Sequence, residues 1–190
     1  MGGSIRPLKR LVCAGSSGGG KTTLVKLLEK KIGLPAILHS RPTAAARSLG
    51  YEKASDIPAD KMVIFQWLAL MEQYHAERAS FHYIADRSVL DFLAYYKYQT
   101  PFEQQVPDYT NVAIELTQRY DLILLVPPNS KGTEDNGIRH LHGVYEVHGI
   151  LQEFIGDFGL GDKTYLLTAD TPEERVEEVL WVLAQRGFVI

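Results

Sequence analysis

Residues 15–23 read GSSGGGKTT, and this stretch decides the fold. Three consecutive glycines are a poor choice inside a helix, where each costs about 1 kcal/mol relative to alanine. They suit a loop whose backbone must come close to something. Gly15, Gly20, Lys21 and Thr22 satisfy G-x-x-x-x-G-K-[ST], the pattern of a phosphate-wrapping loop. The flanks fit that mechanism. RLVCA, Arg10–Ala14, reads as a strand before the loop. Lys21–Ile32 reads as a helix after it, with Leu24, Leu27 and Leu28 on one face. Backbone N–H groups of the loop and of the helix N-terminus then converge on an anion. Lys21 is expected to reach the β- and γ-phosphates of ATP, and the Thr22 hydroxyl to bind Mg²⁺. Gly15, Ser16, Ser17, Gly18, Gly19, Gly20, Lys21, Thr22 and Thr23 together form the expected nucleotide cradle. Gly19 is an extra glycine beyond the pattern G-x-x-G-x-G-K-T that Gly15, Gly18 and Gly20 complete. Kinases, ATPases and switches share such a loop, so it identifies the donor and leaves the reaction open.

Outward from the loop, strand-like runs alternate with amphipathic helical stretches. That alternation predicts an α/β fold: a mainly parallel sheet of about five strands flanked by helices, the P-loop NTPase architecture. PAILH (35–39), FHYIA (81–85), DLILLV (121–126) and TYLLT (164–168) are the further strands. DLILLV is apolar throughout, as expected of a strand covered on both faces. Residues 41–49 read as a short helix or ordered loop, 58–78 as a long helix, and 88–98 as another. The last helix is well punctuated. Thr171 and Glu174 form a capping box, Pro172 takes the first helical position and Gly187 follows the end.

Composition bounds the rest. The 190 residues suit one domain, and 45% hydrophobic residues supply a sizeable core. Twenty Lys plus Arg against 23 Asp plus Glu give a formal charge of -3, so no global pull toward nucleic acid or anionic membrane is expected. One cysteine, Cys13, excludes an intramolecular disulfide, and its apolar run suggests a buried structural thiol. No stretch approaches the ~20 apolar residues that span a bilayer, and no leader-like segment opens the chain. A soluble cytoplasmic protein without a membrane partner is expected.

A second strand end carries chemistry. After FHYIA comes DRSVLDFLAYYKY. Asp86 lies where strand meets helix, the place for a Mg²⁺ partner or a general base, and both roles stay open. Adjacent Arg87 is placed to hold a phosphate or the acceptor. On a helix, Arg87, Asp91, Tyr95 and Tyr98 share one stripe, while Val89, Phe92, Leu93 and Tyr96 share a core stripe. Asp91 and Tyr95 either line an acceptor pocket or, for Asp91, pair with Arg87 on a solvated face. Arg41 and Arg47 follow the second strand, at the sheet edge where ligands enter, and are either candidates to clamp an acceptor phosphate or a DNA backbone or plain surface charges. Residues 127–139, containing PPNSKGTEDNG, read as a mobile lid. Arg139 there is expected to stabilise phosphoryl-transfer charge, with Lys131 as a companion or a surface charge. His140, His142 and His148 lack the spacing of a metal site and read as helix-surface residues.

The segments GSSGGGKTT, FQWLALMEQYHAE, DRSVLDFLAYY, YDLILLVPP and NGIR, in that order, resemble a family of small P-loop kinases. It includes the ribosylnicotinamide kinase domain of the bacterial NAD-synthesis regulator and AAA-type relatives common in phages. The resemblance runs from Leu11 to about Val182. It implies an ATP- and Mg²⁺-dependent phosphotransferase acting on a nucleoside- or nucleotide-type acceptor. Some phage relatives phosphorylate 5-hydroxymethyluracil within DNA, and SRPTAAARSLG is similar to them, so DNA stands as an alternative acceptor. Two departures stand out. The family's lid Asp-Gly-x-Arg is here Asn136, Gly137, Ile138 and Arg139, and HSRPT stands where many relatives carry a glutamate after the second strand. The competing class is a nucleotide-binding regulator that hydrolyses ATP slowly.

Overall fold

The computed structural model describes residues 6–38, 41–100, 107–128 and 141–189, with backbone alone at 41, 107, 108, 141 and 142. In chain order its elements are β1 (Arg6–Pro7), β2 (Arg10–Ala14), α1 (Lys21–Ile32), β3 (Ala36–Ile37) and α2 (Arg41–Ser48). Next come α3 (Met62–Ala79), β4 (Tyr83–Asp86), α4 (Val89–Gln99), α5 (Pro107–Thr117) and β5 (Leu122–Leu125). They end with α6 (Leu141–Asp157), β6 (Thr164–Leu166), α7 (Pro172–Gln185) and β7 (Phe188–Val189).

The main sheet has five parallel strands in the order β3-β4-β2-β5-β6. The strand preceding the glycine loop is therefore central. Cys13 on β2 lies opposite Asp86 on one side and Leu124 on the other. The chain passes from one side of β2 to the other between β4 and β5. At such a reversal, connections at the strand C-termini diverge and leave a crevice for ligand.

Period-two alternation distributes the strands between two cores. Val12, Ala14, Ala85, Ile123 and Leu125 face α3, α4, α5 and α6, where Phe65, Leu70, Leu93 and Leu151 are buried with them. Leu11, Cys13, Ile84, Leu122 and Leu124 face α1 and α7, against Leu24, Leu28, Val179 and Leu183. Each buried Val, Leu, Ile or Phe among them contributes ~1.5–3 kcal/mol. Both faces being covered accounts for the unbroken apolar runs. Cys13 is completely buried, and burial together with the charge of Asp86 pushes its thiol pKa well up, as suits a structural residue.

Several expected bounds shift, and PAILH, DLILLV and TYLLT pair only over Ala36–Ile37, Leu122–Leu125 and Thr164–Leu166. The strand at FHYIA begins at Tyr83, because Lys9 and β2 offer partners only from there: Tyr83 N–H donates to the Lys9 carbonyl at 2.7 Å. Phe81 is 76% exposed, and the strand runs on to include Asp86. The long helix starts at Met62, after a turn of 3₁₀ helix at Ala59–Lys61. The short pair β1 and β7, parallel with Arg6 opposite Phe188, has no periodic signal and ties the two ends of the described chain together. The Thr171 cap forms as expected, with Glu174 N–H donating to its Oγ1 and Glu174 Oε2 accepting from Thr171 N–H. No helix among the described residues is long and apolar enough to cross a membrane.

Candidate functional site

The glycine loop turns sharply between β2 and α1. Gly15, Gly18 and Gly20 all have positive φ. At Gly15 a side chain is excluded outright, since a Cβ would stand 2.4 Å from the Val126 carbonyl oxygen. That carbonyl cannot retreat, because the Val126 N–H is tied to Ala14 at 2.8 Å. Helix α1 carries no acid in its first turn and Lys30 and Lys31 in its last, so its free N–H groups stay available to an anion and its dipole is complemented at the far end. Lys21 is buried and folds its Nζ onto the carbonyls of Gly15 at 2.6 Å and Ser16 at 2.5 Å. Burial, with the nearby positive Arg87, lowers its pKa to about 8. Ser16 is buried and its Oγ has no hydrogen-bond partner among the described residues. Thr23 lies exposed on the first turn of α1.

Thr22 Oγ1 donates to Asp86 Oδ2 at 2.6 Å. A hydroxyl and a buried carboxylate beside a phosphate loop form an all-oxygen donor pair of the kind a hard divalent cation takes. The structure thus brings together Lys21, Thr22 and Asp86, from residues up to 65 positions apart in the chain.

Arg87 is half-buried and takes φ of 79°, a left-handed conformation that costs about 1–2 kcal/mol for a residue with a Cβ. Its N–H donates to the Cys13 carbonyl at 3.1 Å, and its guanidinium lies 5.3 Å from the centre of the Tyr95 ring. Tyr95 Oη in turn accepts from the Ser17 N–H at 3.0 Å. These residues wall a cavity of about 410 Å³, within the range of ligand pockets. Its polar lining includes Ser17, Gln66, Arg87 and Gln99, and the Gln66 and Gln99 amides hydrogen-bond to each other. Phe65, Phe92, Tyr95 and Tyr98 supply the aromatic surface.

Asp91 departs from its expected place. It is fully buried and neither lines the cavity nor pairs with Arg87. Its Oδ1 accepts from Gly15 N–H at 2.9 Å, and its Oδ2 from Ser88 N–H and Oγ at 2.8 and 2.9 Å. Its position at the third residue of α4 lets it close that helix's N-terminus while holding the first glycine of the loop. Asp91 thus holds the loop and the start of α4, apart from the cavity lining. Arg47 is exposed and borders a separate, open depression of about 620 Å³ with Tyr51 and Lys53. That depression includes no residue of the phosphate loop, whereas Ser17 of the loop lines the cavity. Arg41 opens α2, but its side chain is outside the described atoms. Arg139, Lys131 and residues 129–139 of the expected lid also lie outside the described residues. His148 is not a surface residue: it is half-buried, its Nδ1 is unpartnered among the described residues, and burial with the charge of Lys21 lowers its pKa.

One contributor has no signature in the loop motif. Arg175 of α7 is buried, donates from Nε to the Ala169 carbonyl at 2.8 Å and from Nη1 to the Gly19 carbonyl at 2.5 Å. The only hint of it is a lone arginine on the side of a helix that otherwise alternates acids with core residues.

The fold and loop define a P-loop NTPase. A family model described as an AAA domain matches residues 10–159, and the chain belongs to that family. No curated protein matches the sequence significantly. Among solved structures, the chain is similar to the NadR protein in complex with NR, at TM-score 0.71 and 22% identity over 96% of this chain and 52% of that one. It is similar also to NadR with NAD and AMP-PNP, at TM-score 0.68 and 23% identity over 96% of this chain and 51% of that one. The chain thus spans about half the length of those proteins. Deoxyadenosine kinase from M. mycoides is similar along nearly its whole length, at TM-score 0.67 and 13% identity over 93% of this chain and 99% of that one.

Proposed function

We propose that this chain is a single-domain ATP-dependent kinase that moves the γ-phosphoryl group of ATP to a nucleoside- or nucleotide-type acceptor. One observation carries the reading: the phosphate loop and the aromatic cavity share a wall. Ser17 belongs to both, and its N–H is bonded to Tyr95 of the cavity. In-line phosphoryl transfer needs such a contiguous donor and acceptor.

The parts take these roles. The loop from Gly15 to Thr23 holds the phosphates, and Lys21 moves from the Gly15 and Ser16 carbonyls onto them. Thr22 and Asp86 would hold Mg²⁺, which would supply positive charge against the transferring group. The 2.6 Å hydrogen bond between Thr22 and Asp86 favours this metal role for Asp86 over that of a general base. Arg87 faces the acceptor and offsets developing negative charge. Arg139 keeps the role of stabilising transfer charge, and Arg41 that of an acceptor contact, on sequence grounds. The cavity supports a flat heteroaromatic acceptor, with Tyr and Phe faces for stacking and the Gln66 and Gln99 amides for its polar edge. AMP-PNP in one similar structure and the activity named for deoxyadenosine kinase agree with a nucleotide donor and a nucleoside-type acceptor.

The test is incubation with γ-labelled ATP and Mg²⁺ against nucleosides, nucleotides and DNA bearing 5-hydroxymethylated pyrimidine. Label on a panel member supports the kinase. Label released only as inorganic phosphate supports the slow regulator instead. If DNA is the labelled member, its binding weakens steeply with salt as counterions are released, whereas a neutral nucleoside shows little slope.

A further inference from the structure

Gln73 and Glu77 lie one turn apart on α3, both fully buried, and neither faces the cavity. Glu77 Oε2 accepts from Tyr120 Oη at 2.7 Å and from Tyr83 Oη at 3.2 Å. Its Oε1 accepts from Gln73 Nε2 at 2.8 Å. The same amide nitrogen donates to the Arg87 carbonyl at 3.2 Å. Tyr120 Oη accepts from the Val89 N–H at 3.4 Å. The four side chains therefore grip the turn between β4 and α4 on either side of Ser88.

Filling a core with a carboxyl, an amide and two hydroxyls is costly when leucine or phenylalanine fills the same volume. The arrangement also leaves Gln73 Oε1 without a partner. Its amide orientation is nevertheless forced, because reversing it would set oxygen against both the Glu77 and Arg87 oxygens. What the hub secures is local. Arg87 is the non-glycine residue with positive φ among the described residues, and the hub holds its carbonyl. A strained backbone persists only where its surroundings over-determine it.

We propose that Gln73 and Glu77, with Tyr83 and Tyr120, form a buried buttress that positions Arg87 toward the acceptor cavity. The role in turnover rests on the kinase reading; the role in holding the turn does not. Gln73 and Glu77 are positioning residues, acting through the Arg87 carbonyl and touching no reactant.

The test is Gln73→Met, which keeps the length of the side chain and removes its donor. Amide exchange at Ser88, whose N–H lies in the same peptide unit as the Arg87 carbonyl, is expected to quicken about tenfold or more, with α1 and β2 unchanged. In turnover, Gln73→Met is expected to lower kcat about tenfold at unchanged KM for ATP, and to cause no further loss in an Arg87→Ala background. Unchanged Ser88 exchange overturns the proposal, as does an equal fold-loss in both backgrounds. If Gln73→Met fails to fold, Tyr120→Phe removes one hydroxyl from the same hub and carries the same measurements. A wild type that phosphorylates nothing in the acceptor panel defeats the kinase reading instead, whereas Ser88 exchange needs no substrate and still decides whether the buttress holds the turn.

Discussion

Glu77→Gln gives a sharp check on the buried hub, because its effect has a sign and a pH window. Burial pushes the Glu77 carboxyl up to about 7 from 4.5, against hydrogen bonds from Tyr120, Gln73 and Tyr83 that favour the anion. Below pH 4.5 the carboxyl is neutral in folded and unfolded chains alike. Between 4.5 and about 7 the unfolded chain ionises first, so rising pH draws the equilibrium toward unfolding. Above about 7 both states are ionised and the loss stays constant. Roughly two and a half decades of proton affinity amount to about 3 kcal/mol. Glutamine is neutral throughout. It has one acceptor oxygen where the carboxylate has two, so either Gln73 or the two tyrosine hydroxyls lose their acceptor, which lowers stability by an amount independent of pH. The difference between wild type and variant should therefore move by about 3 kcal/mol in the variant's favour between pH 4.5 and 8. Taking that difference at each pH cancels the titrations the two proteins share. Urea denaturation reads it as a relative shift of about 1.5 M in midpoint, for a slope of roughly 2 kcal/mol/M. Stability curves for the two proteins that run parallel across this range would refute the reasoning.

Further substitutions probe the site and its surroundings. Lys21→Ala is expected to abolish turnover, and Asp86→Asn to cut it by about 10²-fold or more with nucleotide still bound, as read from kcat and nucleotide titration. Full activity in Asp86→Asn would remove Asp86 from the mechanism. Asp91→Ala leaves the buried Gly15 N–H and the start of α4 without their acceptor, so chemical denaturation should show about 1–3 kcal/mol of lost stability, and nucleotide affinity should fall with it. Gly15→Ala drives a Cβ into the Val126 carbonyl and should prevent accumulation of soluble folded protein, while Gly33→Ala, at φ 70° with nothing within 4 Å, should lower stability by only about 1–2 kcal/mol.

The central strand, the loop and α1 were legible because their signals are local: an apolar run, a glycine pattern and a helical stripe follow one another directly. The capping box at Thr171 was legible for the same reason. Asp91 was misread because helical periodicity reports which side a residue faces but not what waits there. Its partner is the N–H of Gly15, far back in the chain. Gln73 and Glu77 look like any polar pair at i and i+4 on a helix surface until Tyr120 closes over them. Arg47 was read from its nearness to a strand end, and the structure leaves it exposed on α2, away from the cavity lining. The cavity itself draws on residues from α2, α3, α4 and α6, and no sequence window contains such a surface.

The hydrogen bond from Arg175 to Gly19 has a consequence for synthesis. The phosphate motif is written by residue 23, but one of its carbonyls finds its partner only after the last helix has been made. The central strand likewise waits for β5, and Val126 just after it defines the space at Gly15. A nascent chain on the ribosome thus displays the recognisable loop long before the Val126 and Arg175 contacts that complete its surroundings can form.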